Sequence, residues 1–98
     1  MKDENAPLIK YSNLFNRQFK AIPLGIKIAF RHTRELFLEN PTHPSLRNHG
    51  LKNEFAGFQS IDITDDYRAI YRKTINGKKE TLTFYLIGTH EELYGKQK

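Results

Sequence analysis

The chain has 98 residues, no cysteine and a net charge of +5, with a pI of about 9.6. That length sets one domain, residues 1–98, with ~65% of the unfolded surface buried; the lack of cysteine excludes disulfides, thiolate zinc sites and cysteine nucleophiles, and fits a reducing cytoplasm. No stretch approaches the ~20 apolar residues of a membrane span, and the polar start Met1-Lys2-Asp3-Glu4-Asn5 has no signal-peptide core; the expected location is cytoplasmic, with no membrane partner.

In chain order, residues 1–7 read as a flexible tail ending at Pro7, and Leu8–Tyr11 as a short strand. Ser12 suits a helix N-cap, because its hydroxyl accepts from first-turn N–H groups. Phe15, Phe19 and Ile22 then recur at i, i+4 and i+7, a helical period that Pro23 ends. A second helix is expected over Leu24–Glu39, with Ile26, Ala29, Phe30, Thr33 and Phe37 facing inward and Asn40-Pro41 as its stop. The short link at Pro23 makes the two helices an antiparallel pair.

Pro41 to Leu51 reads as loop, and Phe58–Thr64 alternates, with Ile61 and Ile63 on one face. Tyr67–Thr74 is rich in aromatic and branched residues, and Asn76-Gly77 predicts a type I′ hairpin turn. Thr81–Ile87 is a strand, with Leu82, Phe84 and Leu86 facing one way and Thr83, Tyr85 and Ile87 the other. Gly88-Thr89 ends it, and His90–Tyr94 forms one helical turn. The expected fold is α+β in the order β-α-α-β-β-β, with the helix pair on one face of a small, largely antiparallel sheet. The other face is left open to bind.

The positive charge is uneven. Arg17, Lys20, Lys27, Arg31 and Arg34 occupy a segment, Asn16 to Arg34, that holds no acid. Such a balance suits an anionic partner, or simply a solvated helix face. Among the histidines, His32 sits inside the second helix and His43 in a Pro-flanked turn, both suited to structural or solvated roles. His49 and His90 fall at loop–strand transitions, where functional groups are displayed. With Asp66, Arg68 and Tyr94 they form a set suited to a phosphodiester: imidazoles for proton transfer, Arg for charge, an aromatic for base stacking. Bland roles stand beside these: Asp66 as a strand-entry cap, Arg68 as a cross-strand ion pair with Asp62 or Asp65, both histidines as surface residues. The cluster Asp62, Asp65, Asp66 with Glu91 and Glu92 offers oxygen ligands for Mg²⁺, but reads better as turn chemistry. No metal or other cofactor is expected.

The motifs His43-Pro44-Ser45-Leu46, Asn48-His49-Gly50-Leu51-Lys52, Gly57-Phe58-Gln59-Ser60, Asp66-Tyr67-Arg68-Ala69-Ile70-Tyr71 and Gly88-Thr89-His90-Glu91-Glu92-Leu93-Tyr94-Gly95 resemble the RelE/ParE toxin superfamily. The likeness is to the YafQ-like branch of type II toxin–antitoxin toxins, and its motifs cover residues 43–95. The resemblance implies a RelE-like fold and an mRNA interferase that cuts mRNA in the ribosomal A site by metal-independent attack of the 2′-OH. It implies His49 as general base, His90 as general acid (with the two labels exchangeable), Asp66 orienting an imidazole and Arg68 steadying the phosphate. Tyr94, Lys52, Arg47 and Asp62 become substrate contacts. The basic stripe of Arg17, Lys20, Lys27, Arg31 and Arg34 becomes a grip on ribosomal RNA phosphates. The implied protein partner is a cognate antitoxin, acidic and folding on binding. Two positions depart from the YafQ-like pattern: Asp62 replaces a His and Leu86 replaces an Arg. A ParE-like DNA gyrase poison and a catalytically inert nucleic-acid-binding module are the alternatives.

Overall fold

The computed structural model describes residues 6–95, and the first five residues of the expected tail lie outside that range. The elements run β1 (Leu8–Tyr11), α1 (Asn13–Ala21), α2 (Leu24–Glu39), β2 (His49–Gly50), β3 (Gln59–Asp62), β4 (Tyr67–Asn76), β5 (Lys79–Thr89) and α3 (His90–Tyr94), with 3-10 turns at Pro44–Leu46 and Asn53–Phe55. The five strands form one sheet in the order β1-β5-β4-β3-β2. Only β1 and β5 pair in parallel, and the remaining pairs are antiparallel. The fold is α+β, as expected. The sheet gains the two-residue strand β2 in a stretch whose Pro and Gly content reads as loop.

Ser12 caps α1, accepting from the Phe15 N–H at 2.9 Å, while its own hydroxyl donates to the Tyr85 carbonyl on β5 at 2.9 Å. One side chain therefore starts the helix and docks it. Phe15 and Phe19 of α1 meet Phe30 of α2. The pair lies on the sheet through Phe30 against Phe84 (5.4 Å between ring centroids) and Phe37 against Tyr71 (4.8 Å), both edge to face. Ile61, Ala69, Leu82 and Ile87 complete this buried layer. The aromatic spacing that predicted the helices is thus the spacing that fills the core, and truncating a central ring such as Phe84 to alanine costs about 3–5 kcal/mol.

Two expectations are corrected, both by strand register. The hairpin pairs Asn76 with Lys79, so Gly77 and Lys78 form its loop. Of the central residues only Gly77 has positive φ, 65°. That is the pattern of a type II′ turn, with Gly first, in place of type I′. In β5 the alternation does not run through. Tyr71 pairs with Phe84 and Ile70 with Leu86, leaving Tyr85 as the extra residue of a bulge. A bulge shifts every later side chain to the opposite face. Ile87, not Leu86, therefore continues the core, and Leu86 turns to the face away from α1 and α2.

Candidate active site

The alternation of β3 and β4 sorts their side chains cleanly. Ile61 and Ala69 pair on the helix side, so Ser60, Asp62 and Arg68 face the other way. His49 pairs across from Ser60. Together with His90 and Tyr94 from α3, and with Arg47 and Leu51, these residues line a cleft of about 410 Å³. This volume falls within the range of ligand-binding clefts, roughly 300–1,000 Å³.

Arg68 is the most constrained group in the cleft. Its Nε pairs with Asp62 Oδ1 at 2.9 Å, both side chains being about one-seventh exposed (16% and 14%). Its Nη1 donates to the carbonyls of Thr64 (3.0 Å), Asp65 (2.9 Å) and Tyr67 (3.2 Å). Among the described residues no partner engages Nη2. Nε and Nη1 are thus held in place, and Nη2 is left to brace an anion. Arg47, whose side chain is 75% exposed, reaches Asp62 Oδ2 at 3.5 Å. Of the ion pairs open to Arg68 on sequence, Asp62 is the one that forms.

His49 has a defined tautomer. Its Nδ1 lies 2.7 Å from the Arg47 carbonyl oxygen. A carbonyl oxygen carries no proton, so Nδ1–H donates, and the neutral ring keeps its lone pair on Nε2. Arg47 adopts the left-handed conformation, φ 48°, at the end of the Pro44–Leu46 turn, so the loop geometry that aims this carbonyl is built by its neighbour. Asn48, one residue before, points to the other side of the sheet and accepts from Tyr71 Oη at 3.0 Å. Burial pushes the Tyr71 phenol up, and the negative charge of Glu80 reinforces this. The pair Tyr71–Asn48 latches the loop to the core while His49 faces the cleft.

His90 opens α3. Thr89 Oγ1 accepts from Glu92 N–H at 3.0 Å and Glu92 Oε1 accepts from Thr89 N–H at 2.8 Å, a reciprocal capping box that fixes the helix start. Gly88 lets α3 fold back, since a Cβ there would meet Glu92 Oε1 at 3.0 Å. The His90 ring lies against Tyr94 (4.7 Å), and Tyr94 meets Phe55 edge to face (5.7 Å). Beyond Phe55 lies an apolar hollow formed by Leu14, Phe58, Tyr85 and Leu86.

The cleft thus gathers His49, Arg68, His90, Tyr94, Arg47 and Asp62. It does not take in the Asp66 carboxylate or Lys52, both exposed. Asp66 acts on His90 through its main chain, its carbonyl accepting the His90 N–H at 2.9 Å. His43 is structural: its Nδ1 accepts from the Ser45 N–H at 3.1 Å and caps the following turn. The basic stripe lies on the helices, across the sheet from the cleft. Arg17, Lys20 and Arg31 are exposed, whereas Lys27 and Arg34 lie over Phe19 and Phe30 and Arg34 also donates to Tyr11 Oη at 2.6 Å. Among the described residues no three His, Cys, Asp or Glu side chains cluster as metal ligands, and no helix is long and apolar enough to cross a membrane.

Sequence reasoning missed Ser60. It is 0% exposed, lines the cleft, and its Oγ has no hydrogen-bond partner among the described residues. Leaving a buried hydroxyl unpaired costs about 1–3 kcal/mol. The signal that marks it is period two: Ser60 and Asp62 are the polar positions opposite Ile61.

No family model and no curated protein matches the sequence. Among solved structures the chain is similar to YafQ from E. coli strain BL21(DE3), with 24% identity, a TM-score of 0.71, and coverage of 91% of this chain and 99% of that one. It is similar to a YoeB/ParE toxin from Agrobacterium tumefaciens at 16% identity and a TM-score of 0.70, covering 85% and 98%. It is also similar to a chain of the E. coli DinJ-YafQ toxin–antitoxin complex at 23% identity and a TM-score of 0.68, covering 92% and 99%. These likenesses establish a shared fold.

Proposed function

We propose that the protein is the toxin of a type II toxin–antitoxin system, an endoribonuclease that cuts mRNA on the ribosome. One observation carries this reading: two imidazoles and a tethered guanidinium line a single cleft on the sheet face away from α1 and α2, in a fold shared with YafQ. The reaction is a transesterification. His49 Nε2, left with its lone pair by the Nδ1 bond to the Arg47 carbonyl, takes the proton of the 2′-OH. The 2′-oxygen then forms a bond to the adjacent phosphorus while the bond from phosphorus to the 5′-oxygen breaks. The His90 imidazolium gives its proton to the departing 5′-oxygen. The products are a 2′,3′-cyclic phosphate and a 5′-OH end, and no water or metal enters the step. Each proton transfer contributes about 10²–10⁴-fold. Arg68 Nη2 braces the charge that builds on the phosphoryl oxygens, and Tyr94 offers a ring for an unpaired base.

The exposed charges of Arg17, Lys20 and Arg31 grip ribosomal RNA from the helix side, leaving the opposite face to the mRNA. An acidic antitoxin that folds on binding neutralises the protein, as the fold's occurrence in a toxin–antitoxin complex suggests. The site of action is the cytoplasm.

The test is induction in cells with and without the protein encoded by the neighbouring gene, with mRNA 5′ ends mapped, for the native chain and His90→Ala. Growth arrest relieved by the neighbour, 5′-OH ends that vanish in the variant, and cleavage on isolated ribosomes that survives EDTA at levels sparing ribosomes are the expected results. Ends bearing 5′-phosphate would refute 2′-OH attack. Arrest with gyrase-linked DNA breaks and intact mRNA would assign the protein to the gyrase poisons instead.

A further inference from the structure

Ser60 sits in the middle of β3 with its backbone paired on both sides, to His49 on β2 and Ile70 on β4. Its side chain is fully buried and its hydroxyl has no partner among the described residues, yet it lines the cleft. The neighbouring polar groups are committed elsewhere: His49 Nδ1 to the Arg47 carbonyl, and the Asp62 oxygens to Arg68 and Arg47. An alanine would meet every demand of the fold at this position. A hydroxyl with no partner among the described residues, beside a cleft that holds an imidazole and a guanidinium, is placed to take one from a ligand in that cleft. A serine hydroxyl rotates freely about its C–O bond, so it can donate to whatever oxygen occupies the cleft.

We infer that Ser60 is a substrate-contacting residue, its Oγ–H donating to a non-bridging oxygen of the scissile phosphodiester alongside Arg68. The inference rests on the endoribonuclease reading and deepens it. It also accounts for Leu86. The resemblance expects an Arg there, but the bulge at Tyr85 carries Leu86 to the face away from α1 and α2 as part of the apolar hollow. The second anion donor then comes from β3, beside Arg68, instead of from β5.

The experiment compares the native chain with Ser60→Ala by three measurements: melting temperature, single-turnover mRNA cleavage on programmed ribosomes, and titration with inorganic phosphate followed by amide chemical shifts. Because the variant removes an unpaired buried hydroxyl, its melting temperature should equal or exceed that of the native chain. Its cleavage rate should fall about 10- to 100-fold, in the range of a lost transition-state donor, and its phosphate affinity should fall several-fold. Cleavage at the native rate overturns the assignment, as does a rate loss that tracks a lowered melting temperature, which would make Ser60 structural. If the native chain itself fails to cut RNA, the endoribonuclease reading falls; equal phosphate affinity of the two proteins would then overturn the Ser60 assignment separately.

Discussion

Replacing Arg68 with alanine tests the cleft most severely, because this side chain holds the site together and lines the cleft. The variant loses the 2.9 Å pair to Asp62 and three carbonyl bonds from Nη1. Asp62, only 14% exposed, is left with Arg47 at 3.5 Å, whose own side chain is 75% exposed. Breaking a fully buried pair costs about 3–5 kcal/mol; the partial exposure and the remaining Arg47 contact lower this to roughly 2–3 kcal/mol, a fall of roughly 10–20 °C in melting temperature for a domain of this size. Loss of the anion brace should slow cleavage about 100- to 1,000-fold. The two effects separate in the Asp62→Ala/Arg68→Ala double variant. Removing the stranded carboxylate should recover about 1–2 kcal/mol of the stability and none of the activity. Urea denaturation and single-turnover cleavage measure the two quantities. A single variant as stable as the native chain would refute the structural half of the reasoning. Recovered activity in the double variant would refute the catalytic half, since it would make Arg68 merely a partner for Asp62.

Cleavage by the native chain should follow a bell-shaped pH profile, with His49→Gln abolishing the acidic limb and His90→Gln the alkaline limb, each slowing the reaction by about 10²–10⁴-fold; the opposite pairing of limbs and variants would exchange base and acid. Stability should decline at alkaline pH because of Tyr71. Its folded phenol holds its proton more tightly than the unfolded one, chiefly through burial; as pH rises through the ordinary phenol value of 10.0 the unfolded chain therefore binds fewer protons, and stability falls until the folded phenol also ionises. Tyr71→Phe should flatten this slope in denaturation curves between neutral and alkaline pH, and should lose about 1 kcal/mol at neutral pH with the Asn48 bond; an unchanged slope would show that Tyr71 does not cause the decline. Reversing the exposed charges Lys20 and Arg31 to Glu should weaken ribosome binding and reduce the log–log salt slope by about 2. An unaltered slope would remove those residues from the RNA contact.

How much of the molecule could be read in the chain depended on the range of the forces involved. Helix and strand positions were legible because periodicity and capping are local: Ser12 starts α1 through a neighbour three residues away, and Phe30 and Phe37 mark the buried face of α2 by spacing alone. The residues around the cleft were legible in part, since His49, Arg68, His90 and Tyr94 lie in recognisable motifs. Their arrangement was not. Strand register decides it, and a shift of one residue exchanges the two faces of a sheet. The bulge at Tyr85 sends Leu86 out of the core, and the β3–β4 pairing selects Asp62 over Asp65 as the partner of Arg68. A backbone carbonyl sets the His49 tautomer. Ser60 looks like an ordinary strand serine until β2 and β4 close on either side of it and bury its hydroxyl at the wall of the cleft. The sequence by itself determined the helices and the longer strands and supplied the chemical groups; only the tertiary structure added β2 and decided which of those groups share a face, because that depends on pairing between residues far apart in the chain.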